Sequence, residues 1–124
     1  MTETRRYEVR ASSTETFGRV LWSCRDQHFV ADGPVHNGCP GEAVTPAELF
    51  LAGIAACGVE LVEVIARAED VPLAAVRAEI AGEIDPDDPV RSDVTVFNHV
   101  RLSFRVEGVS PEQGQLLVDR FKKR

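Results

Sequence analysis

The stretch TPAELFLAGIAACG, Thr45 to Gly58, decides how the rest of the chain is read. Thr45 suits a helix N-cap, Pro46 suits the first helical position, and Glu48 stands three residues beyond the cap. That is a capping box, with proline placed where its missing N–H does no harm. From Leu49 to Val59 the run is apolar on every side, so the helix it predicts has to be buried all round. Glu60, Glu63 and Arg67 then form a polar stripe, with Glu63 and Arg67 a favourable i, i+4 pair. Asp70 and Pro72 predict the helix end. Cys57 closes the apolar run, and its residue type allows two readings: a small buried hydrophobe, or a nucleophilic sulfur. Gly53 and Gly58 bear on the choice, because a glycine inside a helix costs about 1 kcal/mol relative to alanine. Either another part of the protein packs closely there, or space is kept beside the sulfur.

Upstream, about Tyr7 to Ala31 reads as short strands. Val20, Trp22 and Cys24 alternate with Leu21, Ser23 and Arg25, and Gly18 marks a turn. Asp32 to Val44, DGPVHNGCPGEAV, is rich in glycine and proline and reads as loop. Downstream, Val76 to Ile84 alternates as a strand, and DPDDP, Asp85 to Pro89, is a turn. A longer strand is predicted from Val96 to Glu107. Val96, Asn98, Val100, Leu102, Phe104 and Val106 share one face; His99, Arg101, Ser103, Arg105 and Glu107 share the other, read as solvated. Ser110-Pro111-Glu112-Gln113 is a second capping box, opening a helix with Leu116, Leu117 and Phe121; Lys122, Lys123 and Arg124 sit at its negative dipole end. The expected fold is α+β: N-terminal antiparallel strands, a long buried central helix, two further strands and a second helix, all in one domain over residues 1–124. The central helix is too apolar for so small a monomer to cover, which predicts an obligate homodimer with this helix at the interface.

The 124 residues carry a formal net charge of -6, which argues against nucleic acid or an anionic membrane as the main partner. The N-terminus, MTETRRYEVR, is polar, and the apolar run Leu49–Val59 is short of a membrane span; a cytoplasmic location is expected. Three cysteines, Cys24, Cys39 and Cys57, do not describe a disulfide scaffold. Cys24, His28, His36 and Cys39 have a loosely zinc-like spacing, but Cys24 falls in the apolar phase of a strand; no metal and no cofactor is expected. A reactive Cys57 needs a cation to favour its thiolate. Cys57 lies about three turns into the helix, so the helix dipole alone does not serve, and Arg19, Arg25 or the facing subunit are the candidates.

In its P-x-E-L, apolar stretch and A-A-C, the Thr45–Gly58 segment resembles the signature helix of the OsmC/Ohr family of thiol-dependent hydroperoxide reductases. HFVADGP looks like the family's strand and acidic loop before that helix, VPLAAVRAEIAGEID like the strand after it, and VEGVSPEQGQLLVDRFKKR like the strand end and second helix. The likeness runs from about Phe17 onward. It implies an intertwined homodimer with two sites at the interface. It also implies that Cys57 is the peroxidatic cysteine, whose thiolate attacks the distal oxygen of an organic hydroperoxide and becomes sulfenic acid. In the family a resolving cysteine follows the last helix, and a small dithiol reduces the resulting disulfide. Here the sequence reaches Arg124 without it, so the resolving cysteine is absent, lies beyond Arg124, or is replaced by Cys39. Well-characterised members carry a catalytic glutamate ten residues before the cysteine; that position is Ala47, and Glu48, nine before, is turned about 100° away on the helix.

The leading expectation is therefore a cysteine peroxidase acting on organic hydroperoxides in oxidative-stress defence. The alternatives are a non-enzymatic dimer that binds an apolar ligand beside Cys57, or a redox sensor.

Overall fold

The computed structural model describes residues 3–124. They form two compact units, the first extending to Phe50 and the second starting at Leu51.

In the first unit, β1 (Arg10–Ser13), β2 (Arg19–Cys24) and β3 (Gln27–Asp32) make an antiparallel sheet in that order. The two-residue turn Arg25–Asp26 joins β2 to β3, with Arg25 in the left-handed region at φ 53°. Mirror-image turns of this kind match the twist of the strands they join. The tight turn fixes the register, so Trp22 faces Phe29 and Arg19 faces Asp32. Trp22 and Phe29 stack with ring centroids 4.3 Å apart. Gly18 precedes β2 with φ 81°, a conformation that only glycine adopts freely. The loop after β3 contains one short 3-10 turn, Val35–Asn37.

Helix α1 runs from Pro46 to Ala68. Its capping box is formed: the Glu48 N–H donates to Thr45 Oγ1 at 3.3 Å, and the Thr45 N–H donates to Glu48 Oε1 at 2.9 Å. Asp70, at φ 53°, supplies the left-handed residue just past the helix end.

In the second unit, β4 (Ala75–Glu83) and β5 (His99–Glu107) form a two-stranded antiparallel sheet, with Ala75 opposite Glu107 and Glu83 opposite His99. The expected faces are present, but β5 starts at His99, not Val96. Asn98 accounts for the shortening. Its side chain accepts from the Asp85 N–H at 2.7 Å and donates to the Asp88 carbonyl at 2.6 Å, so it closes the preceding loop. Helix α2 (Pro111–Phe121) opens with the Ser110–Gln113 capping box. Val62, Ile65 and Ala66 of α1 meet Leu117 of α2 in the core, flanked by Phe104, Val106 and Phe121. The Glu69–Arg120 ion pair, at 2.9 Å, ties the end of α1 to α2.

The sequence predicts burial all round α1, and the chain alone does not provide it. Only Gly58, Val62, Ile65 and Ala66 are buried, the edge that faces the core. Phe50 is 60% exposed, and Ala52, Gly53, Ala56 and Cys57 are exposed as well. One short sheet and one eleven-residue helix bury a single edge of the 23-residue helix, and Leu51, Ile54, Ala55, Val59 and Leu61 are half-buried beside it. At that length, and by composition, α1 also exceeds the apolar run seen in the sequence and is long enough to cross a membrane, although it carries Glu60, Glu63 and Arg67.

Candidate functional site

The sequence leaves open what Gly53 and Gly58 are for, and the structure separates them. A side chain on Gly58 would begin 2.8 Å from Phe104 Cζ and 3.6 Å from Phe121 Cζ, so its missing Cβ lets α1 settle on the core. A Cβ on Gly53 would meet nothing within 4 Å among the described residues beyond its own helix turn. Gly53 lies one turn before Cys57 on the same side of the helix. Cys57 is exposed and free. The sulfur thus stands on an accessible helix face with open space one turn away, and not in a sealed aliphatic pocket.

A buried carboxylate paired with an arginine lies in the first unit. Arg19, the first residue of β2, donates from Nε to Asp32 Oδ1 at 2.8 Å and from Nη2 to Asp32 Oδ2 at 2.9 Å. The same Nη2 donates to Glu42 Oε1 at 2.9 Å. Asp32 is fully buried, and its Oδ2 also accepts from the backbone N–H groups of Glu42 and Ala43 at 2.9 and 2.8 Å. A buried carboxylate is tolerable only when paired and hydrogen-bonded in this way. The Arg19 guanidinium, aided by the two N–H donors, holds the Asp32 carboxyl well below the usual range. Arg19 is pushed further up from its already high value, by Asp32 first and Glu42 second. Nη1 of Arg19 has no partner among the described residues.

Arg25 has a different setting. It sits at the tip of the β2–β3 turn, exposed, with its carbonyl accepting from Arg10 Nη2 at 3.3 Å. Cys39 is half-buried in the first unit and packs against Gly18 and Gly33, whose peptides are joined by a 2.8 Å hydrogen bond. Cys39 therefore lies beside the residues that flank the Arg19–Asp32 pair, whereas Cys57 belongs to the second unit. Cys24 is half-buried at the end of β2, and His28 Nδ1 is 2.8 Å from Ser23 Oγ. Among the described residues, no group of three or more His, Cys, Asp or Glu side chains could hold a metal ion. Glu48 is occupied by Thr45, which also donates its hydroxyl to Oε1 at 2.8 Å, and its carboxyl is lowered by the Thr45 backbone and side-chain hydrogen bonds.

Asp32 and Glu42 are the residues that sequence reasoning missed. A signal was available: a two-residue turn at Arg25–Asp26 sets Arg19 opposite Asp32, an opposite-charge pair in register. The first unit also holds an apolar groove of about 410 Å³, lined by residues that include Val9, Val20, Trp22, Leu49 and Phe50. Trp22 Nε1 is buried without a hydrogen-bond partner among the described residues.

Among curated proteins none matches the chain. Solved structures do. An OsmC-like protein from Mycoplasma pneumoniae superposes with a TM-score of 0.83 at 17% identity, over 98% of this chain and 84% of that one. An organic hydroperoxide resistance protein from Elizabethkingia anophelis gives 0.80 at 16% identity, over 99% and 85%. The organic hydroperoxide resistance protein OsmC from Legionella pneumophila gives 0.76 at 20% identity, over 98% and 85%. At these identities the likeness establishes the fold. Residues 39–124, which include the whole of α1 and Cys57, match the family described as OsmC-like protein, and the chain belongs to that family.

Proposed function

We propose that the protein is a cysteine-based peroxidase that reduces organic hydroperoxides through Cys57. The observation that carries the reading is Cys57 itself: an exposed, free thiol on the helix of an OsmC-like chain, with open space at Gly53 one turn away. In this reading the Cys57 thiolate attacks the distal oxygen of the hydroperoxide. The O–O bond breaks, the leaving alkoxide takes a proton to become an alcohol, and the cysteine becomes a sulfenic acid. A small dithiol then attacks the sulfenic sulfur and releases water. Its second thiol displaces Cys57, which returns as a thiol while the dithiol leaves as a disulfide. Cys39 is the resolving candidate within the chain: in that variant of the cycle its thiol attacks the sulfenic sulfur in place of the dithiol and releases water, and the dithiol then reduces the Cys39–Cys57 disulfide. Arg19 is the preferred cation over Arg25, because a two-point contact with Asp32 fixes its guanidinium and leaves Nη1 open. The working form is a homodimer, supported by the exposed apolar side of α1.

The reading is tested by adding one equivalent of cumene hydroperoxide and trapping with dimedone, followed by peptide mass spectrometry. The expected adduct is on Cys57, with turnover lost in Cys57→Ser. An unmodified Cys57, or full turnover in the serine variant, would sink it. A Cys39–Cys57 disulfide on oxidation would assign resolution to Cys39.

A second reading is an apolar-ligand dimer without peroxidase activity. The groove bounded by Trp22 and Phe50, and Ala47 in place of the family's glutamate, favour it. Ligand retained in native mass spectra together with an inert Cys57 would select it.

A further inference from the structure

Arg19 is surrounded by more negative charge than it carries. Two carboxylates contact one guanidinium, so the cluster holds one excess negative charge. The carboxylates are not equivalent. Asp32 is buried, and its departure would orphan the N–H groups of Glu42 and Ala43 along with one edge of the guanidinium. The Glu42 side chain is 78% exposed and, among the described residues, its one hydrogen bond is to Nη2. Exposed ion pairs of this kind contribute little. The Arg19 side chain is 32% exposed, and its Nη1 is open among the described residues.

We propose that Glu42 is a displaceable counter-ion of Arg19, exchanged for a small anion that binds across Nη1 and Nη2 while Asp32 keeps the guanidinium oriented. The ligand class follows from the edge that is freed. Two adjacent N–H donors on a planar cation suit an oxyanion, such as a phosphate or carboxylate, in bidentate fashion. With Glu42 in place, the cluster opposes a further negative charge. With Glu42 displaced, Arg19 and Asp32 balance, and the incoming anion meets open donors. The consequence for Cys57 rests on the reading of Arg19 as its cation; the exchange itself concerns the first unit alone.

Inorganic phosphate is the probe, titrated while the Arg19 Nε–Hε resonance and the backbone amides of Glu42 and Ala43, which remain observable in every variant, are followed by NMR. The expected result is a phosphate-dependent shift that tightens in Glu42→Gln, on the order of threefold to tenfold, because one weakly held competing carboxylate is removed. Arg19→Gln should abolish phosphate binding, and urea unfolding will establish that both variants are folded. Unchanged or weaker binding in Glu42→Gln overturns the proposal, as does full binding without Arg19. The pH midpoint of Cys57 alkylation by iodoacetamide separates this from the functional reading. It should fall in Glu42→Gln and rise in Arg19→Gln. If phosphate behaves as expected while that midpoint stays fixed in both variants, the counter-ion exchange stands and the pairing of Arg19 with Cys57 is rejected.

Discussion

The ring edge of Phe104 occupies the space where a side chain on Gly58 would begin, 2.8 Å from that position to Cζ. Phe104 in turn packs edge-to-face on Phe121, with centroids 5.2 Å apart, so the ring has little room to retreat. Alanine at this site gains helix propensity of about 1 kcal/mol. It also forces an overpacked contact, which costs about 1–3 kcal/mol. Gly58→Ala should therefore be net destabilising, by about 1 kcal/mol, in urea unfolding. The pair should couple: adding Phe104→Leu to Gly58→Ala should cost less than the sum of the two single changes. Simple additivity would show that Gly58 is not there for Phe104.

Asp32 gives the protein an acid-sensitive stability. Hydrogen bonds from Arg19, and then from the backbone of Ala43 and Glu42, depress its folded-state pKa below the unfolded value. A depressed carboxylate contributes stability that is fully present above the ordinary carboxylate range and is lost as pH falls from about 4 towards the folded value. The urea midpoint of the wild type should thus fall steeply below that range. Asp32→Asn should be less stable at neutral pH and should show a shallower acid slope. Parallel pH profiles for the two proteins would mean that other carboxylates dominate.

Much of the architecture was legible because its causes are local. Thr45 with Glu48 and Ser110 with Gln113 are three residues apart, and both capping boxes form as read. The alternation from Val76 and from His99 sets the β4–β5 faces. The short start of β5 was not legible, because Asn98 is diverted by Asp85 and Asp88, ten to thirteen residues away. The candidate site divides in the same way. Cys57 is apparent from its own neighbours, whereas the burial of Asp32 depends on Arg19 and the 42–43 backbone together. The exposed side of α1 in the single chain was not legible, because an apolar run reports a need for cover and does not report which chain supplies it.

Glu48 distinguishes a structural carboxylate from a catalytic one. It accepts both the N–H and the hydroxyl of Thr45, at 2.9 and 2.8 Å, and is thereby committed to the helix start. Glu48→Ala should lower the thermal midpoint measurably while hydroperoxide turnover, assayed well below that midpoint, stays at the wild-type value. A large loss of kcat in a folded Glu48→Ala protein would transfer the family's glutamate role to this residue after all.

The exposed side of α1 leads to the last prediction. Gly53, Cys57 and Val64 recur at helical spacing on an exposed side of α1, with exposed Ala52 one residue before Gly53. Contiguous apolar surface of this kind marks an association site. Small residues there would let a second helix approach closely, as in interfaces that resemble a core cut in half. The 13.6 kDa chain should therefore sediment as a dimer at micromolar concentration. Gly53→Arg would place a charge in the middle of that contact and should weaken association by at least about tenfold, the loss of roughly 1.4 kcal/mol. Val94→Arg, an exposed position in the loop before β5, is the control and should leave the dimer intact. If the wild type sediments as a monomer, or both variants dimerise alike, the face of α1 is not the interface. The apolar character of Leu49–Val59 would then require a different occupant, and the groove between Trp22 and Phe50 would be the first place to seek it.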